Sequence, residues 1–440
     1  MEHHTFVLRS AAPQTPIQNR SQKMSPPHGF PSFSRTELPS GVRILTEQIP
    51  SVRSVAVGVW VQAGSRDETQ AENGITHFIE HMVFKGTTKR RGYQINQRME
   101  SVGGYLNAFT TKEHTCFYAR SLDEHIGRAL DTVLDLVTHP TLPEKELVKE
   151  KDVVIEEIKM YQDNPEDHIY DHYESLMYPD HALGRPILGT RETVGSFTRD
   201  KLERYIGQHY APNRLVVSVA GNVKHERVVR KVERLLRGFE HAPADLHRAA
   251  ANGYTPSDVV IARPVQQAHL VVGTRGFGAL DPRRTQVSLL HTILGGGMSS
   301  RLNQNIREKY GFCYSVYSFA NMLADAGDVG VYIGTDAAKV DRARKLVVRE
   351  LHKLAEKAVS VRTLARAKQQ LKGSLMLGLE SMSNRMMRIG RVELTFGRYF
   401  TLDEVIAEID AVTAEDVRTV ADELFASERL SSVAIVPSDA

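Results

Sequence analysis

The strongest constraint on the fold of this chain is an order of predicted strands and helices that occurs twice. The first copy contains strands over residues 54–63, 105–111 and 115–120 and helices over residues 74–84, 94–102 and 122–138. The second copy contains strands over residues 259–263, 268–273, 313–319 and 329–334 and helices over residues 286–294, 337–357 and 361–390. Because a repeated order of elements is typical of a repeated structural unit, the pattern predicts an α+β fold made of two homologous domains.

Changes in composition mark the expected domain boundaries. Residues 1–36 are rich in Pro, Ser, Gln and His and show no periodicity, so we expect a disordered N-terminal tail. We place the first domain at residues 37–235 and the second at residues 257–440. Residues 236–256 carry Gly, His, Pro and Ala in no regular pattern and form the expected linker.

The overall composition argues against several classes of protein. Of the 440 residues, 41% are hydrophobic and 25% are charged, and the net charge of +3 is too small to predict a nucleic-acid partner. No run of about 18 apolar residues predicts a membrane-spanning helix. Two cysteines, Cys116 and Cys313, cannot build a disulfide framework, so they indicate a reducing compartment or carry no information.

The segment His77-Phe78-Ile79-Glu80-His81 carries the first candidate chemistry. In a helix, His77 and His81 are four residues apart and lie on one face, where two imidazoles can share one metal ion. Glu80 borders that face and can accept a proton from water near the metal without being a ligand. A tetrahedral zinc ion with one open position suits these groups. The plainer alternative is an amphipathic helix whose imidazoles are ordinary surface or core groups.

A third protein ligand is required, because a catalytic zinc ion usually has three. Residues 144–161 have apolar side chains at helical spacing, and Glu150 and Glu157 fall on the same stripe. A carboxylate on an inward face is costly unless it is paired or bound to a metal. Either glutamate can therefore be the ligand, with the other orienting the site. The alternative is a helix edge whose glutamates form salt bridges.

The pattern His-x-x-Glu-His, followed by Glu-Glu-Ile-x-Met in a helix, resembles the pitrilysin/insulinase family of zinc peptidases. The chain looks most like short bacterial members related to the β subunit of the mitochondrial processing peptidase. In that family the glutamate ligand lies about 76 residues after the second histidine. The resemblance therefore selects Glu157 as the third ligand and Glu150 as the supporting carboxylate. It also implies that each domain is a mostly antiparallel sheet covered by helices on one face.

The resemblance implies roles for residues outside the metal site. Asn107 and Ala108 lie in a strand that, in the family, forms a sheet edge beside the zinc and pairs with extended substrate. Arg307 and Tyr314 have the spacing of an Arg and a Tyr that, in longer members, reach the substrate and the developing oxyanion. In so short a chain the pair would come from a second copy, which implies a homodimer. The alternatives from residue types alone are that the strand is plain scaffold and that Arg307 and Tyr314 have structural roles. The second copy has a single His291 at the place of the metal pair.

Together these features predict a zinc endopeptidase that binds one Zn²⁺ per chain and hydrolyses peptides or unfolded protein segments. His77, His81 and Glu157 bind zinc, Glu80 is the general base for a metal-activated water, and the Arg–Tyr pair stabilises the oxyanion. Two alternatives stay open: a catalytically inert subunit, and a subunit that requires a different partner chain. We expect no nucleic-acid or membrane partner and a bacterial cytoplasmic location, with the mitochondrial matrix as the weaker alternative.

Overall fold

The computed structural model describes residues 32–239 and 242–438, which form two similar α+β units. We call residues 32–239 the first unit and residues 258–438 the second unit. This architecture confirms the predicted fold class.

The main elements of the first unit are six strands and eight α-helices. The strands are β1 (Ser32–Glu37), β2 (Arg43–Gln48), β3 (Ser54–Val61), β4 (Tyr105–Thr110), β5 (Thr115–Leu122) and β6 (Leu215–Gly221). The helices are α1 (Ile75–Val83), α2 (Gly92–Glu100), α3 (Ile126–Thr138), α4 (Glu144–Asp163), α5 (Pro165–Met177), α6 (Arg191–Gly195), α7 (Arg199–His209) and α8 (His225–Leu235).

The second unit has five strands, six α-helices and a π-helical segment, Asn303–Glu308. The strands are β7 (Asp258–Arg263), β8 (Ala268–Gly276), β9 (Cys313–Met322), β10 (Gly327–Thr335) and β11 (Ser431–Pro437). The helices are α9 (Arg284–Gly295), α10 (Val340–Glu356), α11 (Val361–Gly378), α12 (Met382–Phe396), α13 (Leu402–Ala411) and α14 (Ala414–Phe425).

The two sheets share one topology. The first has the strand order β1-β2-β6-β3-β5-β4, and the second has the order β7-β11-β8-β10-β9. In both, one pair is parallel, β2 with β6 and β7 with β11, and the other neighbours run antiparallel. Strand β1 has no counterpart in the second sheet as described, and β4 and β9 form equivalent edges.

Each sheet buries one face against helices of its own unit. In the first unit, Val55, Val57 and Val59 of β3 are fully buried in a core that also contains Phe78 of α1. Alternate residues of a strand point to opposite faces, so the valines face this core while the residues between them face away from it. Burial of α1 on this face fixes the direction in which its polar side chains point.

The other face of each sheet is covered by a helix from the other unit. Helix α12 packs on β3 and β6, and α5 packs on β8 and β11. Glycines leave room for both helices: a Cβ on Gly58 would lie 2.4 Å from Met386 Sδ, and a Cβ on Gly273 would lie 2.3 Å from the Tyr173 hydroxyl. The sequence predicted helices on one face of each sheet. It did not predict that each unit would also supply a helix to cover the other unit's sheet, an arrangement that we call the exchange of α5 and α12.

The exchange depends on a break in a helix that the sequence predicts as continuous over residues 361–390. The helix ends at Gly378, and α12 begins after Ser381, whose side chain accepts a hydrogen bond from the Asn384 amide. Serine is a favourable N-cap because its hydroxyl satisfies an amide that the helix leaves free. The new direction brings α12 onto the first sheet.

The predicted disordered tail, residues 1–36, was wrong at its end. Residues 32–37 form β1, which pairs along the whole length of β2. This short strand is mostly polar and shows no clear alternation, so its order comes from pairing and not from its own pattern. Residues 1–31 lie outside the described residues. Between α8 and β7, where we predict the linker, the described residues contain no helix or strand.

Across residues 32–239 and 242–438, none of the helices combines the length and the apolar character needed to span a lipid bilayer.

Candidate metal centre

Helix α1, nine residues long, carries the three candidate functional side chains His77, Glu80 and His81. It begins after Gly74, which has φ of 92°, a left-handed conformation that suits glycine. The buried side chains of Phe78 and Met82 pack into the core. The remaining face, with His77, Glu80 and His81, lies towards β4 and α4, the two elements that α1 contacts there.

The two histidines and Glu157 of α4 converge on one point. Glu157 Oε2 lies 3.8 Å from His77 Nε2 and 3.5 Å from His81 Nε2. One candidate ligand atom from each residue lies within 4.8 Å of the others, and this is the one such group of three found in the described part of the chain. Donors around a tetrahedral zinc ion with bonds of about 2.0–2.1 Å are about 3.3 Å apart. The observed distances fit a zinc ion with small side-chain adjustments.

Glu150 holds His81 in the ring state that a metal requires. Its Oε1 lies 2.9 Å from His81 Nδ1, and its Oε2 is paired with Lys85 Nζ at 2.6 Å. An ionised carboxylate only accepts, so Nδ1 carries a proton and Nε2 is the ring nitrogen that faces Glu157 and would bind a metal. Contacts of this kind orient metal-binding imidazoles and raise their basicity. The geometry therefore separates the two glutamates that the helical stripe alone left equivalent.

The protonation equilibria of the two histidines differ. Burial, followed by the charge of His81, lowers the pKa of His77 to about 3, so its ring is neutral and free to bind a cation. Burial alone would also lower the pKa of His81, but the hydrogen bond to Glu150 and the charges of Glu157, Glu150 and Glu80 raise it above its usual value. Protons therefore compete with a metal mainly at His81.

Glu80 lies beside the cluster and is positioned by the edge strand β4. The Thr110 hydroxyl donates to Glu80 Oε2 at 2.5 Å. Burial raises the pKa of Glu80, and the neighbouring Glu157 raises it further, while Thr110 and His81 oppose the change. A raised pKa favours a carboxyl group that exchanges protons near neutral pH.

The cluster opens into a cavity of about 540 Å³. Its wall includes His77, Glu80 and Glu157, and every lining residue lies between His77 and Gly189, within the first unit. Glu157 is about a quarter exposed, so the ligand position is accessible to a molecule in the cavity. The arrangement combines three candidate ligand groups, a neighbouring carboxyl group and an open cavity.

The structure places the two predicted substrate contacts on the edge strand. Ala108 lines the cavity, whereas Asn107 points elsewhere, donates to the Tyr105 hydroxyl at 2.6 Å and accepts from the Ala108 amide. Strand β4 pairs with β5 on one side only, and its other side has no partner strand among the described residues. That free side can accept an extended chain.

Arg307 and Tyr314 lie in the second unit and do not line this cavity. Arg307 is in the π-helical segment, where it donates to Met298 Sδ at 3.3 Å and lies 6.0 Å from the Tyr314 ring. Tyr314, on the edge strand β9, is 86% exposed. His291 does not take part in a ligand group: its Nδ1 lies 2.8 Å from the Ser318 hydroxyl.

Two contacts of the site were missed at the sequence level. Lys85 lies in the turn after α1, two residues beyond its end, and its ammonium group pairs with Glu150. Thr110 lies two residues after Ala108 on the same face of β4, but nothing local connects it to Glu80. The second contact depends on how the strand packs against α1.

The sequence patterns of two related families match consecutive parts of the chain. The pattern described as "Insulinase (Peptidase family M16)" matches residues 43–191, which contain the whole metal cluster. The pattern described as "Peptidase M16 inactive domain" matches residues 196–371, which extend into the second unit.

Bacterial proteins named as uncharacterized zinc proteases are similar over almost the whole chain. One from Streptomyces coelicolor is 42% identical over 428 residues, covering 95% of this chain and 92% of its own. One from Bacillus subtilis is 43% identical over 386 residues, covering 88% of this chain and 94% of its own.

Solved structures show the same fold at low sequence identity. A structure titled as a peptidase M16 inactive domain from Pseudomonas fluorescens is 20% identical, with a TM-score of 0.86, and covers 92% of this chain and 98% of its own. A protease from Helicobacter pylori has the same identity and TM-score and covers 93% of this chain and 100% of its own.

Proposed function

The chain belongs to the insulinase family, peptidase family M16, and from this premise we propose that it is a zinc-dependent endopeptidase acting on peptides or unfolded protein segments. The observation that carries the proposal is the convergence of His77, His81 and Glu157 beside the carboxyl group of Glu80, at the wall of an open cavity. The names of the bacterial relatives are consistent with it.

The side chains of this site would hold one zinc ion and handle one proton. When bound, zinc supplies a Lewis acid that polarises a carbonyl oxygen and makes water more acidic. Thr110 fixes one oxygen of Glu80, and the other oxygen has no hydrogen-bond partner in the described residues. Glu80 is thus free to take a proton from water and to return it to the leaving amine. The residue that holds the proton is separate from the three that hold the metal.

The free side of β4 supports an extended peptide as substrate. An added strand makes main-chain hydrogen bonds, which require an unfolded segment but little specific sequence. Such pairing would place a peptide bond along the wall that contains Ala108 and Glu80. We therefore propose selection for extended conformation before selection for sequence.

We also propose that the active form is a homodimer in which Arg307 and Tyr314 of one chain reach the metal site of the other. Two observations support this arrangement. The cavity is lined by the first unit alone, while Tyr314 is highly exposed on the edge strand of the second. Residues 144–177 contain four Lys or Arg and eleven Asp or Glu, whereas residues 361–396 contain seven and two. Opposite charges on equivalent helix pairs favour a two-fold dimer in which the first unit of one chain faces the second unit of its partner.

A mixing experiment tests the dimer. Glu80→Gln and Arg307→Ala chains, each with little activity alone, are unfolded together and refolded as a mixture. If the two residues act across the interface, about a quarter of the sites regain both groups and activity returns accordingly. Wild-type activity in the Arg307→Ala variant would contradict the arrangement. So would full activity in a protein that size-exclusion chromatography with light scattering shows to be a monomer. If the protein cleaves peptide only after a different chain is added, the partner-dependent alternative is supported.

Metal content and peptide cleavage together test the activity. The purified protein should contain one zinc per chain, lose cleavage of an unstructured peptide after chelation and regain it when zinc is restored. Glu157→Gln should lose zinc and activity, while Glu156→Gln, at an exposed neighbouring position, should keep both. Zinc binding without cleavage of any peptide in a library would favour the inert-subunit alternative.

We propose a bacterial cytoplasmic location. The similar proteins named above are bacterial, and both cysteines are free and buried, as expected for a reducing compartment. Fractionation of the producing cells tests this, and enrichment outside the cytoplasm contradicts it.

A further inference from the structure

We propose that Glu68 is a positioning residue for the metal centre, because one buried hydrogen-bond network ties it both to the start of helix α1 and to the cavity wall at residues 186–189. The inference deepens the proposed function and rests on it for its zinc-affinity and activity measurements, whereas the hydrogen-exchange measurement is independent of it. Glu68 lies in the loop between β3 and α1, nine residues before His77, and is 4% exposed.

The Glu68 carboxylate satisfies donors that a helix leaves free at its N-terminus. Its Oε1 accepts from the Thr76 amide at 2.9 Å, and its Oε2 accepts from the Gly74 amide at 2.8 Å. The first amides of a helix have no partner within the helix, so acceptor oxygens placed there satisfy donors that would otherwise be unpaired. The residue before α1 is Gly74, which has no side chain to act as a cap. The side chain of Glu68, six residues earlier in the loop, accepts these hydrogen bonds instead.

The same network holds one wall of the cavity. Asn73 Nδ2 donates to Glu68 Oε2 at 3.2 Å and to the Pro186 carbonyl at 2.9 Å. Pro186 and Gly189 both line the cavity. A Cβ on Gly189 would lie 2.4 Å from the Asn73 carbonyl oxygen, so the two loops touch directly. A displacement of Glu68 would therefore reach both the metal helix and the wall beside it.

The position of α1 sets the ligand geometry because the two histidines and the Glu80 carboxyl all project from it. Thr76, whose amide Glu68 binds, directly precedes His77. The equivalent helix of the second unit, α9, begins with a different hydrogen-bond arrangement. There the partly exposed Asp281 accepts from the backbone amide and the guanidinium of Arg283. The buried network at α1 thus accompanies the unit that has a ligand cluster.

Zinc affinity and amide hydrogen exchange of Glu68→Gln and Glu68→Ala test the proposal. We expect the zinc dissociation constant, measured by competition with a chromophoric chelator, to rise about 10-fold in the first and about 100-fold in the second. In the metal-free proteins, the amides in the first turn of α1 should exchange faster than in wild type. The turnover number at saturating zinc should also fall in both variants.

Asp328→Asn is the matched control. Asp328 is an equally buried carboxyl group, but it lies in β10 of the second unit and accepts from Tyr178 and Asn321. Its variant should leave zinc affinity and exchange in α1 unchanged even where global stability changes. A general structural effect would instead alter both proteins alike.

The proposal is overturned if folded Glu68→Ala binds zinc within twofold of wild type and shows unchanged exchange in α1. If Glu68→Ala does not fold, the isosteric Glu68→Gln decides by the same two measurements. If wild type itself binds no zinc, the proposed function fails, and the exchange experiment still decides whether Glu68 holds the helix.

Discussion

Helices α1 and α4 of the first unit bring His77, His81 and Glu157 together, whereas the equivalent helices α9 and α11 of the second unit contain no Asp or Glu. His291 of α9 contacts Ser318 instead. Yet the second sheet repeats the order of five of the six strands of the first, with an equivalent single parallel pair. The backbone arrangement is therefore compatible with a metal site and with none, and a few side chains on two helices decide between them.

The units also differ in the charge of equivalent helix pairs, acidic in α4–α5 and basic in α11–α12. One helix of each pair nevertheless packs in the same way, since α5 covers the second sheet and α12 covers the first. Packing uses the apolar stripe of each helix, so the solvent face is free to change sign. The two units therefore share an arrangement of packed helices and differ in the charge of the polar faces.

The substitution with the largest expected effect on this contrast is Glu80→Gln. It should lower the turnover number for peptide cleavage by about 10²–10⁴-fold, because the amide cannot take up a proton. Zinc content, measured by mass spectrometry of the metal, should stay at one per chain, since Glu80 is not in the ligand group. Turnover at the wild-type level would refute Glu80 as the base, and loss of zinc would place it among the ligands.

Glu150→Gln should have the next largest effect. Loss of the carboxylate at His81 Nδ1 should weaken zinc binding by about 10- to 100-fold. It should also lower the pKa of His81 in the metal-free protein, measured by NMR titration, because Glu150 helps to raise it. Glu350→Gln is the control: this carboxyl group is fully buried in the second unit and pairs with Arg301. Equal loss of zinc affinity in both variants would contradict a specific role for Glu150.

A smaller effect is expected on the pH dependence of stability in Asp328→Asn. Burial, followed by the charge of Glu174, raises the pKa of Asp328 to about 7. The folded state therefore holds a proton that the unfolded state has already released, so its stabilising contribution is lost as pH rises through about 7. The loss between pH 6 and pH 8 is about 1.4 kcal/mol, and the variant should lack it. Urea unfolding at both pH values measures the difference, and an unchanged pH slope would contradict it.

The smallest effect is expected for His291→Ala. Loss of the bond to Ser318 should lower the free energy of unfolding by about 1 kcal/mol, measured by urea unfolding. Zinc stoichiometry and turnover should match wild type, in contrast to His81→Ala, which should lose both. If wild type bound a second zinc ion per chain and His291→Ala lost it, the conclusion that the second unit lacks a metal site would be contradicted.

Much of the site could be predicted because its signals are local. His77 and His81 are one helical turn apart, and Glu150 and Glu157 share one stripe, so periodicity alone placed each pair on a face. The order of strands and helices repeated clearly enough to predict two α+β units, which the structure confirms. Strand β1 was missed because its order comes from pairing with β2, which its own six residues do not signal.

The sequence by itself determined the two-unit α+β organisation and the elements that carry the candidate ligands, because these patterns depend on neighbours within a few positions. The structure places Glu157, the ligand that the family resemblance selects, opposite both imidazoles. Only the tertiary structure decided that Thr110 holds Glu80 and that Glu68 binds the start of α1. It also decided the exchange of α5 and α12 between the sheets. Each of these contacts joins residues from different elements, and their meeting depends on how whole surfaces pack, which no spacing along the chain encodes.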